Sequence, residues 1–402
     1  MELTTEQRDL RDAVRGLLAR QRTAAAAEPG TAGAPSEDED PGTGRGPGAS
    51  GEPGAGDGPE LGYDVLLWQR LCGEIGVAGL AIPERYGGAG AGPVETSIVL
   101  EELGRGLVPA PLLGSAVLAG QALLASGDEE ACQRLLPCIA SGTTVAALAW
   151  APRAGQWDPA GPAFAASGSG RVRALAGEAH HVLDGDAAGV LLAAARTPDG
   201  IGLFEVDPAH PAVTRRAVTT MDTTRRLAVV ALEGAPGRCL GPGAGIRALA
   251  RARDLACIAL AAEQAGAAQR ALELTVAYTK TRVQFGRPIG SFQALQHRMA
   301  DLHVLVESAR SLCYAAALAA AGAEGDPGAD SARLGMLAAA AKAYCSQALT
   351  RAAGQMIQLH GAIGITWEHD AHRYFKRAHG TGQLFGRPEE HVARIAAALI
   401  DG

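Results

Sequence analysis

The sequence contains no Cys-x-x-Cys pair; its seven cysteines, Cys72, Cys132, Cys138, Cys239, Cys257, Cys313 and Cys345, are scattered and odd in number. That pattern excludes the paired spacing of a zinc site and argues against a disulfide framework, so reduced thiols in a cytoplasmic protein are expected. Positive charge is not in excess: the formal net charge is -7, which gives no reason to expect a nucleic acid partner. The N-terminus is charged from Glu2 onward, unlike a secretory signal. The alanine-rich runs read as too short and too polar to cross a membrane, so no membrane is expected. No Gly-x-x-x-x-Gly-Lys occurs, and no strand-turn-helix surrounds a Gly-x-Gly-x-x-Gly, which excludes the common phosphate-loop and dinucleotide signatures.

What is present is a chain of 402 residues, 47% hydrophobic, long enough for a large core and two or three domains. A helix is expected to start near Thr4, where Thr-x-x-Gln has the form of a capping box and Leu10, Val14, Leu17 and Leu18 share one face. From about 28 to 61 the composition changes to Gly, Pro, Ala, Ser and acidic residues, which reads as a disordered insert. Helical patterning returns at Val65 to Leu71, with a glycine-punctuated loop from Gly76 to Gly88. Helices follow over Val94 to Leu103 and over Asp128 to Pro137, the last ending at the proline. Between about 143 and 244 the runs Val145–Trp150, Val190–Arg196, Ile201–Val206 and Leu227–Leu232 are strand-sized and separated by turn residues. Long helical runs resume from Ile246. The reading is an α+β chain with a helical domain at 1–142, a β domain at 143–244 and a helical domain at 245–402.

Two late segments carry the chemical signal. The first is Arg282-Val-Gln-Phe-Gly-Arg-Pro-Ile-Gly-Ser-Phe-Gln-Ala-Leu-Gln-His297, followed by Met299-Ala-Asp-Leu302; the second is Gln358-Leu-His-Gly-Ala-Ile-Gly-Ile-Thr-Trp-Glu368. Alone, Arg282 reads as a helix-end arginine and His297 as a structural histidine. In order and separation, the two segments together resemble the flavin-contacting signature of the acyl-CoA dehydrogenases. The resemblance covers nearly the whole chain apart from the insert. It implies that family's fold: an N-terminal helical domain, a middle antiparallel β domain and a C-terminal four-helix-type bundle. It also implies FAD as cofactor, an acyl-CoA thioester as substrate and an electron-transfer acceptor. In the family the opening arginine reaches a flavin pyrophosphate across a subunit interface, and Arg282 matches it. A guanidinium suits that role because it is planar and always charged. Gln284, Phe285 and Gln293 match neighbouring contacts, and Gln358 and Gly361 match positions where backbone approaches the cofactor. Ala362 departs from the family's second glycine.

The resemblance also exposes what is missing. The family's usual catalytic glutamate falls at Gly386, and the alternative position on an earlier helix falls near Ala256 and Cys257; none of these can accept a proton. Asp254, Glu263, Glu389 and Glu390 lie nearby in sequence but read as solvated or structural charges. Glu368-His-Asp-Ala-His372 has no third ligand motif beside it, so no metal is expected. In the β domain, Leu148-Ala-Trp-Ala-Pro-Arg-Ala-Gly155 stands where the family has Thr-Glu-Pro-x-x-Gly-Ser, and His180-His-Val-Leu-Asp184 stands where it has Trp-x-Thr or Trp-x-Ser. The chain thus resembles the non-catalytic subunits of bacterial heterotetrameric (α2β2) acyl-CoA dehydrogenases, as do Met221–Ala228 and Gly364–His372. The expectation is a subunit sharing FAD with a catalytic paralogue. The alternatives are a self-sufficient homo-oligomer with a non-standard base and a flavin-free scaffold.

Overall fold

The computed structural model describes residues 3–27, 62–322 and 329–400. Helix α1, Thr5–Ala27, starts at the expected capping box: the Gln7 N–H donates to Thr4 Oγ1 at 3.2 Å, and the Thr4 N–H donates to Gln7 Oε1 at 3.1 Å. Those reciprocal bonds satisfy donors that a helix start leaves open. Val14 and Leu17 are fully buried and Leu18 nearly so, forming the apolar stripe. The insert expected at about 28–61 lies outside the described residues.

Helix α2, Val65–Arg70, is capped by Asp64, which accepts from the Leu67 N–H at 3.0 Å. After two short 3-10 turns come α3 (Pro93–Gly106), α4 (Gly120–Ser126) and α5 (Glu129–Ala140). The sequence reading ends the last of these at Pro137, whereas α5 continues through it. Pro137 removes one bond, to the carbonyl of Gln133, and both residues face solvent, where water can satisfy that carbonyl.

The middle of the chain forms a seven-stranded sheet: β1 (Ala146–Ala149), β2 (Phe164–Ser167), β3 (Val172–Leu183), β4 (Val190–Thr197), β5 (Gly200–Val206), β6 (Val213–Val218) and β7 (Leu227–Leu240). Antiparallel pairing dominates, and β4 also takes β1 and β2 as parallel partners. The ladder β4, β5, β7, β3, β2 returns to β4, enclosing Phe164, Leu175, Leu191, Phe204 and Val230. Closure leaves few open strand edges. Strands β2, β3 and β6 escape the sequence reading. The long strand β3 is rich in alanine, carries Gly177 at φ +139 and slips register between Ala179 and Val182.

The C-terminal region is helical: α6 (Gly245–Thr281), a small hairpin of β8 (Val283–Gln284) and β9 (Arg287–Pro288), then α7 (Gln293–Gly322), α8 (Ala329–His360), α9 (Ala371–Gln383) and α10 (Pro388–Ile400). Helices α3 and α6 touch backbone to backbone. A Cβ on Gly104 would lie 2.1 Å from the Glu263 carbonyl oxygen, and one on Gly266 would lie 2.0 Å from that of Glu101. Helix α7 corrects one expectation, because by length and composition alone it is long and apolar enough to cross a membrane. Its apolar residues Val306, Ala309, Cys313, Ala316, Ala317 and Ala320 are buried in the bundle with α3, α6 and α8, and Arg310 pairs with Glu101 of α3 at 2.9 Å. An alanine-rich core helix has the hydropathy of a span because alanine permits close helix contact.

Candidate active site

A cleft of about 500 Å³ lies between the sheet and the C-terminal helices. The sheet side contributes Ala154, Gly155, Trp157 and His181, the 220–225 loop contributes Asp222 and Arg225, and the helical side contributes Gln383, Leu384 and Arg387. Both substituted β-domain segments singled out in the sequence therefore line this cleft. Trp157 packs edge-on against Trp150 (ring centroids 5.6 Å apart) and Phe385 (4.9 Å), forming a wall. Beyond that wall is a smaller cavity of about 290 Å³, lined by Arg253, Gly386, His391 and Arg394 among others.

The loop from Gln383 to Pro388 is held from behind. Lys342 of α8, fully buried, donates to the carbonyls of Gly382 (3.3 Å) and Gly386 (3.1 Å) and to the Ser346 hydroxyl (3.0 Å). Burial pushes its ammonium down to about 8. His391, also buried, has Nε2 at 3.1 Å from the Phe385 carbonyl, so that nitrogen carries the proton. Burial pulls this imidazole down to about 4. The clamp fixes Phe385 at φ +61 and Gly386 at φ +109. Restoring a carboxylate at Gly386 is therefore opposed by the backbone. A Cβ there would lie 3.1 Å from His391 Nε2 and 3.3 Å from Glu390 Oε2. Gly386→Glu is expected to lower stability by about 1–3 kcal/mol without creating a base. Thermal unfolding tests the first part and dehydrogenation by the purified variant the second; a stable, newly active variant would overturn the argument.

Neither Glu263 nor Asp254 is free to act as a base. Glu263 is buried, and Arg225 (2.5 Å) and Arg377 both contact its Oε1. Burial alone would raise its carboxyl, but the two guanidiniums outweigh that and hold it below its usual range. Arg377 also meets Asp222 (2.9 Å) and donates to the carbonyl of Thr224 (2.9 Å), tying α6, α9 and the 220–225 loop together. Asp254 is buried between Arg394 (2.8 Å) and Arg253 (3.3 Å). Of the two roles expected for Asp254 and Glu263, solvated or structural, the structure gives the structural one, through buried ion pairs. Glu389 is exposed and Glu390 pairs with Arg387 at 3.2 Å. A signal for the buried charges does exist in the sequence: Glu263 and Lys342 each stand alone in alanine-rich helical runs, where a charge can be accommodated only with a partner. Among the described residues, no group of three or more His, Cys, Asp or Glu residues gathers as a metal site. His369 instead packs on His360 at 4.4 Å and His372 on Trp367 at 4.9 Å.

The six expected cofactor residues lie elsewhere, at the far end of the bundle. Arg282 caps α6, is exposed and forms no ion pair or side-chain hydrogen bond among the described residues. Gln284 lies in the β8–β9 hairpin, and Phe285 at its turn is 91% exposed with φ +54. Gln293 begins α7. Gln358 is exposed near the end of α8, and Gly361 follows at φ +65, where a Cβ would meet nothing within 4 Å. Glycine is thus required there by the backbone conformation rather than by crowding within this chain. Tyr278 joins the two segments, stacking on His360 at 4.3 Å and donating to its carbonyl at 3.3 Å. None of the six lines the cleft. From Glu263, which pairs with the cleft residue Arg225, to the end of α6 at Thr281 is about 27 Å at 1.5 Å per residue.

Comparison with known proteins gives a consistent picture. The family description "Acyl-CoA dehydrogenase, N-terminal domain" matches residues 57–143, and "Acyl-CoA dehydrogenase, C-terminal domain" matches residues 243–400. The acyl-CoA dehydrogenase IpdE2 of Mycolicibacterium smegmatis is 42% identical over 341 residues, 85% of this chain and 90% of that protein. Among solved structures, the ChsE4-ChsE5 complex from Mycobacterium tuberculosis superposes with a TM-score of 0.81 at 28% identity, covering 100% of this chain and 99% of that one. A variant of the Tcur3481-Tcur3483 steroid ACAD superposes with a TM-score of 0.79 at 30% identity, covering 99% and 98%.

Proposed function

The chain belongs to the acyl-CoA dehydrogenase family of FAD-dependent oxidoreductases of lipid metabolism, and on that premise we propose that it is the base-less subunit of an α2β2 enzyme, sharing FAD with a glutamate-bearing paralogue. One observation carries this reading. The flavin-signature residues face outward at the bundle end, about 27 Å along α6 from Glu263 beside the cleft of their own chain, which supports a cofactor shared with a neighbour. The residues present suit the group. Arg282 offers an unpaired, exposed guanidinium for a diphosphate, and Phe285 offers an exposed aromatic face beside it.

In that assembly FAD supplies the hydride acceptor for α,β-dehydrogenation of an acyl-CoA thioester, and an electron-transfer acceptor reoxidises it. The α proton leaves to the partner's carboxylate, since this chain presents Gly386 at the usual place. Its own residues bind and orient: Arg282, Gln284 and Gln293 hold the cofactor's polar end, and Gln358 and Gly361 offer backbone. The name of one similar structure, a steroid ACAD, supports a bulky acyl group. A self-sufficient homo-oligomer is disfavoured by Gly386 and by the pairing of Glu263 and Asp254. A flavin-free scaffold is disfavoured by retention of the motif from Arg282 to Gln293.

The test is direct. Purified alone, the protein is expected to carry little FAD; co-expressed with a glutamate-bearing paralogue, it should yield about one flavin per pair by absorbance. A stoichiometric yellow homo-oligomer of this chain would overturn the proposal.

A further inference from the structure

Asp184, just past the end of β3, does not line the 500 Å³ cleft; it lines a separate cavity of about 20 Å³ where all three regions of the chain meet. The N-terminal region contributes Tyr63, Leu100 and Gly114 to that cavity, and the C-terminal helices contribute Glu263 and Arg377. Asp184 is only 8% exposed, and a Cβ on Gly114 would lie 3.0 Å from its Oδ2, so glycine leaves room for the carboxyl. Among the described residues that carboxyl makes no hydrogen bond and no ion pair. An ionised carboxylate buried without a partner is costly, so a group placed this way holds its proton.

The charges around it are committed elsewhere. Arg226 pairs with Asp186 at 2.7 Å, and Arg225 pairs with Glu263 at 2.5 Å, as Arg377 also does. Burial raises the Asp184 carboxyl to about 7; Arg225 and Arg226 oppose the rise and Asp186 adds to it. The groups facing Asp184 are thus Tyr63, Arg225, Arg226, Asp186, Glu263 and Arg377. Arginines, tyrosines and paired carboxylates titrate outside pH 5 to 8, which leaves Asp184 as the group that changes charge there. Arg225 connects it to the cleft. That residue lines both spaces, and its Nε is buried without a hydrogen-bond partner among the described residues.

We propose that Asp184 is a pH-responsive joint between the three regions: its protonated form leaves Arg225 to Glu263, and its ionised form competes for Arg225 and loosens the 220–226 loop of the cleft. The proton passes to solvent, and no other bond changes. The joint belongs to this chain alone and holds whichever subunit seats the flavin. Its effect on stability has a definite sign. The unfolded carboxyl titrates at 3.8 and the folded one at about 7, so the folded chain keeps a proton that the unfolded chain gives up. The contribution of Asp184 is therefore undiminished below pH 3.8 and is lost as the pH rises through about 7.

The experiment compares the full chain with Asp184→Asn, which keeps the shape, stays neutral at every pH and tolerates the left-handed backbone at φ +53. From pH 5 to pH 8, the unfolding constant of the wild type relative to that of the variant should rise about tenfold to hundredfold in denaturant titrations. A ratio that stays constant overturns the inference. Hydrogen exchange of the 220–226 amides, corrected for the intrinsic rate at each pH, should quicken from pH 6 to pH 8 in the wild type and not in the variant. Equal protection of the loop at both pH values in the wild type overturns the competition for Arg225. The wild type alone supplies a third readout, the infrared carbonyl band of a protonated carboxyl, expected at pH 6 and gone by pH 8.5. Absence of that band at pH 6 overturns the inference whether or not the variant folds.

Discussion

Arg282→Ala is expected to release FAD from the assembled complex while both chains remain folded and associated. A charge-assisted contact to a diphosphate contributes about 1.5–3 kcal/mol, which corresponds to a tenfold to hundredfold loss of affinity. The structure makes this a clean substitution, because the Arg282 guanidinium has no partner among the described residues and its removal leaves no buried group unpaired. Arg282→Lys should rescue only part of the affinity, keeping the charge and losing the bidentate geometry. FAD affinity by fluorescence, with size-exclusion chromatography of the same samples, decides the matter. An alanine variant that binds FAD as tightly as the wild type would mean that this arginine faces only solvent.

The second large effect concerns stability. Arg377→Met should lower it by about 3–5 kcal/mol, because the substitution takes away the cation shared by Glu263 and Asp222 and leaves buried charge uncompensated. Arg225 still reaches Glu263, but Asp222 keeps no other ion pair among the described residues. The same change unties α9 from the 220–225 loop, so the cleft should loosen along with the core. Adding Asp222→Asn to Arg377→Met should recover part of the loss, since that side chain no longer needs a counter-charge. The shift in denaturant midpoint across the single and double variants measures this coupling. Strict additivity would show that the cluster contributes no mutual stabilisation.

Much of the fold follows from local rules and was legible in advance. The Thr4–Gln7 capping box, the stripe of Val14, Leu17 and Leu18, and the long helices after Ile246 express periodicity and end-capping, which operate within a few residues. The resemblance to the family's flavin signature was legible for a different reason: residue types at fixed spacing can be read whatever the surrounding packing. Strand β3 was not legible, because alanine and Gly177 carry little strand preference and its place is decided by pairing with β7, some fifty residues away. The course of α5 through Pro137 depended on which side of the helix met water. The apolarity of α7 belongs equally to a span and to a bundle core, and only its neighbours distinguish them.

By itself, the sequence determined the family frame and the lack of a carboxylate at Gly386, since each is a matter of residue type and order. Tertiary structure alone decided that Glu263 and Asp254 are locked in buried ion pairs, that Lys342 and His391 clamp the loop carrying Gly386, and that His181 turns into the cleft. Each of these depends on groups brought together from distant parts of the chain. Desolvation and Coulomb attraction act through space, and a charge's role is set by the partner that folding delivers to it.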